Sequence, residues 1–356
     1  MKKWTAIQAL RGIAVLGVVA FHSLSVEKKY FGENLLLPHF FTFGQSGVDL
    51  FFVISGFIMV TVTAGRFGFT REVKKFAWSR LARIYPTYWF YLLLSIGIFL
   101  AEPSWVFRSL KGDLLISSFF LLPSDELPLV MVAWSLVYEL WFYAVFAILL
   151  RFKEAFLLPS LIVWGCVVAS VNIVMSIHDL PSYLYILFHP YSLEFIGGAL
   201  SAILLANLRP MKLSRHIAIL TIALILFVGL PLAYANHLLM AAPLMRVGAI
   251  GTLYIGIVLC FVLLESCNTF VFPNTLQFVG DISYTVYLSH ALVLNAVALF
   301  CSKMSSALHD GHNNMLIVMM MFAAVIGYGW VGYRFIERPL LRYSHILSTR
   351  WFSHAS

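Results

Sequence analysis

The stretch Ile7-Gln8-Ala9-Leu10-Arg11-Gly12-Ile13-Ala14-Val15-Leu16-Gly17-Val18-Val19-Ala20-Phe21-His22 is apolar enough for lipid, yet it carries Arg11 and His22. A run of this kind, followed by others like it, reads as a membrane helix. An ionisable side chain in that setting costs several kcal/mol unless it is paired, hydrated or used. Eleven residues are close to three helical turns, so Arg11 and His22 share one face, about 16 Å apart along the axis. The pair marks two ends of something that runs through the membrane.

Composition agrees with this reading. The chain has 356 residues, 61% hydrophobic and 11% charged, with mean hydropathy +0.89. A soluble domain is about half apolar and a quarter charged. The apolar runs are long and do not alternate, which selects helices over a β-barrel. Lys2-Lys3 ahead of an apolar core imitates a signal peptide, but no small-x-small cleavage pattern follows Ala20 and many further spans do. Cys166, Cys260, Cys267 and Cys301 show no CxxC or Cys/His ligand spacing, so they read as packing residues and no metal is expected.

Ten segments are long enough to span: 6–25, 46–65, 84–101, 130–150, 156–176, 183–206, 216–235, 245–264, 281–301 and 314–336. The expected fold is an all-α polytopic membrane protein. The run 113–122 is too short for a crossing and is expected to re-enter or lie at the interface. No repeat of 20–50 residues is visible. Residues 1–345 therefore read as one transmembrane domain and 346–356 as a short cytoplasmic tail. With the N-terminus in the cytoplasm, only Lys28, Lys29, Arg108, Lys111, Arg246 and Lys303 of the 24 Lys and Arg fall on the outer side. That bias predicts both termini inside. The net charge of +8 then follows from topology and gives no sign of nucleic-acid binding.

Orientation gives each intramembrane polar residue a depth. Arg11 lies toward the inner end of the first span and His22 in its outer half. Gln45 and Asp49 lie near the outer start of the second. Glu139 sits mid-span in the fourth, beside Trp134, Ser135 and Tyr138. Glu194 is central in the sixth, and His290 is central in the ninth, after Ser283, Tyr284 and Tyr287. Arg80 and Arg83 are three apart and share a helix face. They stand just ahead of Pro86, which suits the first turn of the third span. Plainer readings compete: the arginines as positive-inside anchors, a lone His or Glu as an interhelical hydrogen bonder, Tyr85–Tyr91 as an interfacial belt, Asp49 as an ion-pair partner or cap. The joint gradient favours function, with arginines at the inner mouth and carboxylates and histidines deeper.

An elongated anionic donor entering from the cytoplasm meets the arginines first, and the planar guanidinium fork suits phosphate. An acyl-thioester of coenzyme A has the matching shape, with phosphates at one end and a reactive thioester on a long arm. His22 is then placed to act as general base on an acceptor hydroxyl or to carry the acyl group. A carboxylate such as Glu139 or Asp49 is placed to orient it. A water-poor site protects the thioester from hydrolysis.

These residues fall into runs that resemble the acyltransferase-3 family of membrane O-acyltransferases, especially stand-alone bacterial members acting on exopolysaccharide or O-antigen. The runs are Gln8-Ala9-Leu10-Arg11-Gly12-Ile13-Ala14 with the R-x10-H spacing to His22, Gly47-Val48-Asp49-Leu50-Phe51-Phe52-Val53-Ile54-Ser55-Gly56-Phe57, and the segments Arg80–Pro86, Trp134–Glu139, Glu194–Gly198, Gly280–His290 and Phe335–Pro339. Seven such runs stand in the family's order from end to end. The resemblance implies transfer of an acyl group, usually acetyl, from cytoplasmic acetyl-CoA to a hydroxyl of a cell-surface polysaccharide or its lipid-linked precursor, in the bacterial inner membrane. It implies His22 as catalytic residue with Arg11 as companion, and Arg80 and Arg83 on the donor side, where Lys75 also falls. Trp134, Tyr138, Glu194, Tyr287 and His290 are the candidate substrate-binding residues. No esterase-like domain follows the tenth span, which fits the stand-alone members. Ser289 stands where the family commonly has an aromatic. The implied partners are acyl-CoA, a glycan acceptor, membrane lipids and the polysaccharide-synthesis machinery. The main alternative is a transporter or flippase, since mid-membrane ionisable groups also serve proton-coupled transport. A structural assembly factor is a third reading, under which Arg11 and His22 tolerate substitution.

Overall fold

A computed structural model describes residues 4–32, 37–101, 112–207, 212–304 and 311–353. Lys2, Lys3, Arg108, Lys111 and Arg209 of the charge bias lie outside these. The described residues fold into helices α1 (Thr5–Phe31), α2 (Gly47–Thr63), α3 (Thr70–Ala101), α4 (Gly112–Phe120), α5 (Trp134–Leu150), α6 (Leu157–Val174), α7 (Ser182–Phe188), α8 (Tyr191–Asn207), α9 (Lys212–Leu224), α10 (Leu230–Ala235), α11 (Pro243–Arg246), α12 (Thr252–Ser266), α13 (Asn274–Asp281), α14 (Ser283–Met304), α15 (Gly311–Gly332) and α16 (Arg338–Ser353). Short π-helical turns join α9 to α10, α11 to α12 and α15 to α16. Among the described residues, ten helical stretches are long and apolar enough to cross a membrane, each overlapping one of the ten segments read from hydropathy, though the third begins at Thr70 and the last runs on to Trp351. The fold is an all-α polytopic membrane protein.

Helices α1, α2, α8 and α14 form the centre. Small residues let them approach. A Cβ on Gly56 would collide with the Phe195 carbonyl of α8, and one on Gly198 with the Val53 carbonyl of α2. Gly280 of α13 meets the Gln8 carbonyl in the same way, which brings the start of α14 against α1. Glu265, at the end of α12, accepts the Thr5 and Ala6 backbone N–H groups at 3.0 and 2.8 Å and so caps α1. Helices α6 and α9 lie outside this core and expose Ile173, Val174, Leu220 and Leu224, side chains that lipid tolerates and water does not.

One expectation needs correction. Helix α3 does not begin near Arg83. It begins at Thr70 and runs unbroken through Pro86, so Arg80 and Arg83 stand in its interior and not in a first turn. Proline removes one hydrogen bond from that helix without ending it. The aromatic run also holds the end of α4. Helix α4 ends at Leu121, which adopts a left-handed backbone (φ 51°), and leaves its last carbonyls without helical partners. Tyr88 Oη, Trp89 Nε1 and Tyr85 Oη donate to the carbonyls of Ser118, Phe119 and Phe120 at 2.5, 2.9 and 2.7 Å. The described part of the segment from residue 346 onward is helical. Helix α16 continues through Ser353 and packs on α3, where Trp78 Nε1 donates to the Ser344 carbonyl at 3.1 Å and the Trp78 and Trp351 rings meet at 4.7 Å.

Candidate active site

The first cavity, of about 320 Å³, lies between α1, α2, α3, α5 and α14. Arg11, Arg80 and Arg83 line it together with Glu139, Gln8, Ser55, Ser135 and Ser283. The arginines are held by different means. Arg11 Nη1 donates to Gln8 Oε1 at 3.3 Å. Arg80 Cζ stands over the Phe76 and Tyr143 rings at 5.7 and 5.9 Å. Arg83 pairs with the fully buried Glu337 at 3.5 Å, and Thr285 Oγ1 donates to the other oxygen of that carboxylate at 2.6 Å. Glu139 accepts from Ser55 Oγ at 3.2 Å and from Tyr143 Oη. Three guanidiniums face two carboxylates, so the cavity keeps a positive excess for an anion.

A second cavity, of about 180 Å³, is lined by His22 with Val18, Phe21, Gln45, Met131, Val132 and Trp134. Val48 and Tyr287 line both cavities and form the wall between them. Tyr287 Oη is fixed there by the Val132 carbonyl at 2.8 Å and by Ser135 Oγ at 2.7 Å. Helix α1 is continuous from Arg11 to His22, so the two side chains lie about 16 Å apart along its axis.

His22 is tied down by acceptors, and these fix its tautomer. His22 Nδ1 lies 3.0 Å from the Val18 carbonyl, which can only accept, so Nδ1 carries the proton. His290 Nε2 lies 3.2 Å from the same nitrogen. His290 Nδ1 in turn donates to the Tyr287 carbonyl at 2.7 Å, which leaves its Nε2 as an acceptor for the His22 proton. The pair is self-consistent and keeps the lone pair of neutral His22 on Nε2. His290 thus orients the His22 ring and fixes its tautomer, without the negative charge that a carboxylate would bring.

The residues anticipated from sequence divide accordingly. Arg11, Arg80, Arg83, Glu139 and Tyr287 meet in the first cavity. His22, Trp134 and Tyr287 meet in the second, with His290 behind His22. Tyr138 packs edge-on against Trp134, with ring centres 5.8 Å apart. Asp49 does not orient His22. Arg246 Nε and Nη2 grip it bidentately at 3.0 and 2.5 Å in the interior, close to Glu194 and Tyr191, and neither Asp49 nor Glu194 lines either cavity. Lys75 is also apart. It pairs with Glu72 at 2.9 Å and lines a separate open basic hollow with Arg66 and Arg71. Two partners carry a weaker signal in the sequence, Arg246 and Glu337. Arg246 counts with the outer cations by topology, yet an arginine inside the run 245–264 calls for a carboxylate, which Asp49 supplies. Glu337 lies within the Phe335–Pro339 run, and an acid at the end of the last span calls for a cation, which Arg83 supplies.

A sequence model of the acyltransferase domain matches residues 4–336. The chain is 32% identical to the exopolysaccharide production protein ExoZ of Rhizobium meliloti, over 85% of this chain and 92% of that one. It is 25% identical to the acyltransferase MdmB of Streptomyces mycarofaciens, over 81% of this chain and 78% of that one. A Staphylococcus aureus protein provisionally named an O-acetyltransferase is 25% identical over 99% of this chain, which spans 59% of that protein's length. No solved structure matches. With the family's domain covering nearly the whole chain, this protein belongs to the acyltransferase-3 family of membrane acyltransferases.

Proposed function

We propose that the chain transfers an acetyl group from acetyl-CoA to a hydroxyl of a cell-surface polysaccharide or its lipid-linked precursor, in the bacterial inner membrane with both termini in the cytoplasm. It works beside the machinery that makes that polysaccharide. The observation that carries this reading is the alignment of a three-arginine cavity with the His22 cavity across one shared wall. Phosphates of the donor rest on Arg11, Arg80 and Arg83. The pantetheine arm passes Val48 and Tyr287 and brings the thioester to His22. A cavity of about 180 Å³ suits a short acyl group beside an acceptor hydroxyl.

In the transfer, the acceptor oxygen attacks the thioester carbonyl while His22 Nε2 takes its proton. Gln45 lines the same cavity and supplies an amide donor for the oxyanion. Collapse of the tetrahedral species breaks the C–S bond, and His22 returns the proton to the leaving thiolate. The same Nε2 lone pair also suits a route in which His22 carries the acetyl group between donor and acceptor.

Donor binding tests the arginine cavity. Arg80 has cation–π contacts rather than a carboxylate partner among the described residues, so Arg80→Ala removes a phosphate contact without stranding a charge. Its expected effect on the Kd for acetyl-CoA is about tenfold or more, with unchanged thermal stability. Arg83→Ala is expected to weaken the donor further, because it also leaves Glu337 negative beside the phosphates. Calorimetric Kd values equal to wild type for both variants would contradict the donor assignment.

A further inference from the structure

A third cavity, of about 390 Å³, continues the series beyond His22. Leu127 and Trp134 line both it and the His22 cavity, so it lies one side chain from the catalytic histidine. Its lining differs from that of the arginine cavity. Asp125 and Glu126 supply carboxylates, and Trp134, Tyr138, His178 and Tyr185 supply rings. Acidic groups repel the phosphates of coenzyme A, so this is no second donor site. The loop that carries the acids is held in place. Ser182 Oγ donates to Asp125 Oδ1 at 2.7 Å, and the Leu129 N–H donates to Ser118 Oγ at 3.0 Å. Ser118 belongs to α4, whose end the tyrosines and tryptophan of α3 hold in turn. The cavity is therefore built before a ligand arrives, which lowers the cost of binding.

We propose that this cavity is the acceptor subsite and that it takes an uncharged pyranose of the glycan; the proposal rests on the acyl-transfer reading above. A pyranose has an apolar C–H face and a rim of hydroxyls. The rings match the face, and the carboxylates accept from the rim in charge-assisted hydrogen bonds. The same carboxylates reject uronic acids and other anionic sugars. A hydroxyl at the Trp134 edge of the bound sugar then points toward the His22 cavity. The arrangement separates donor and acceptor by charge, with cations around one cavity and anions around the other, and His22 between them.

The test uses the purified full chain in lipid nanodiscs, acetyl-CoA, and the host's own surface polysaccharide stripped of O-acetyl esters by mild alkali. Asp125→Asn/Glu126→Gln changes exposed loop residues that no donor contact uses. It is expected to raise the KM for the polysaccharide about tenfold and to leave the KM for acetyl-CoA unchanged. An unchanged polysaccharide KM overturns the proposal, and so does an equal rise in both KM values. If the wild type transfers no acetyl, the acyl-transfer reading fails by itself, and direct binding of the stripped polysaccharide still judges the cavity. Binding about tenfold weaker in the variant supports the subsite, and equal binding removes it.

Discussion

His22→Ala is expected to lower the rate of acetyl transfer by about 10²- to 10⁴-fold while leaving acetyl-CoA affinity nearly unchanged. The reason is positional. His22 lies about 16 Å along α1 from Arg11, in a cavity separated from that of Arg11, Arg80 and Arg83 by Val48 and Tyr287. Its removal takes away the proton acceptor and touches no donor phosphate. His290→Ala is expected to slow transfer by a smaller factor, because the Val18 carbonyl still holds the His22 Nδ1 proton. Stopped assays with labelled acetyl-CoA measure both rates, and calorimetry measures donor affinity. Equal losses in affinity and rate for His22→Ala would assign this histidine to binding. A normal rate would remove it from the mechanism.

The second large effect is structural. Arg246→Met takes the bidentate partner from the buried Asp49 carboxylate and leaves it beside Glu194, at a cost of about 3–5 kcal/mol. That loss is expected to abolish most folded protein. Replacing both partners, as Arg246→Met with Asp49→Leu, removes the uncompensated charge and is expected to recover much of the stability. Folded yield on size exclusion in detergent reads both variants. A fully stable but inactive Arg246→Met protein would return Asp49 and Arg246 to the chemistry and contradict their structural role.

The spans were legible because lipid demands long apolar runs whatever the tertiary packing, and residues 6–25 or 156–176 supply them without help. The start of α3 was not, since Thr70–Arg83 is charged and joins the helix only by packing on α5 and α16. Arg11, Arg80, Arg83 and Glu139 were legible as an ensemble because each is expensive in lipid, and the structure gathers them in one cavity. Asp49 carried the same signal of cost, but the sequence does not say which cation meets it, and Arg246 lies 197 positions away. The His22–His290 contact was hidden for the same reason, although both histidines stood out singly. Asp125 and Glu126 gave no such signal. They lie in an exposed loop where carboxylates are ordinary, and only their position beside Trp134 marks them.

The central claim is that donor and acceptor reach His22 from opposite ends, the donor from the arginine end. Inverted inner-membrane vesicles that contain the protein and are loaded with alkali-stripped surface polysaccharide test it directly. Acetyl-CoA labelled in the acetyl group is added outside, where the arginines face under the proposed orientation. The expected result is label attached to the enclosed polysaccharide with wild type and none with His22→Ala. Label that enters unattached, or reaches polysaccharide only when donor and acceptor share one side, would contradict the claim.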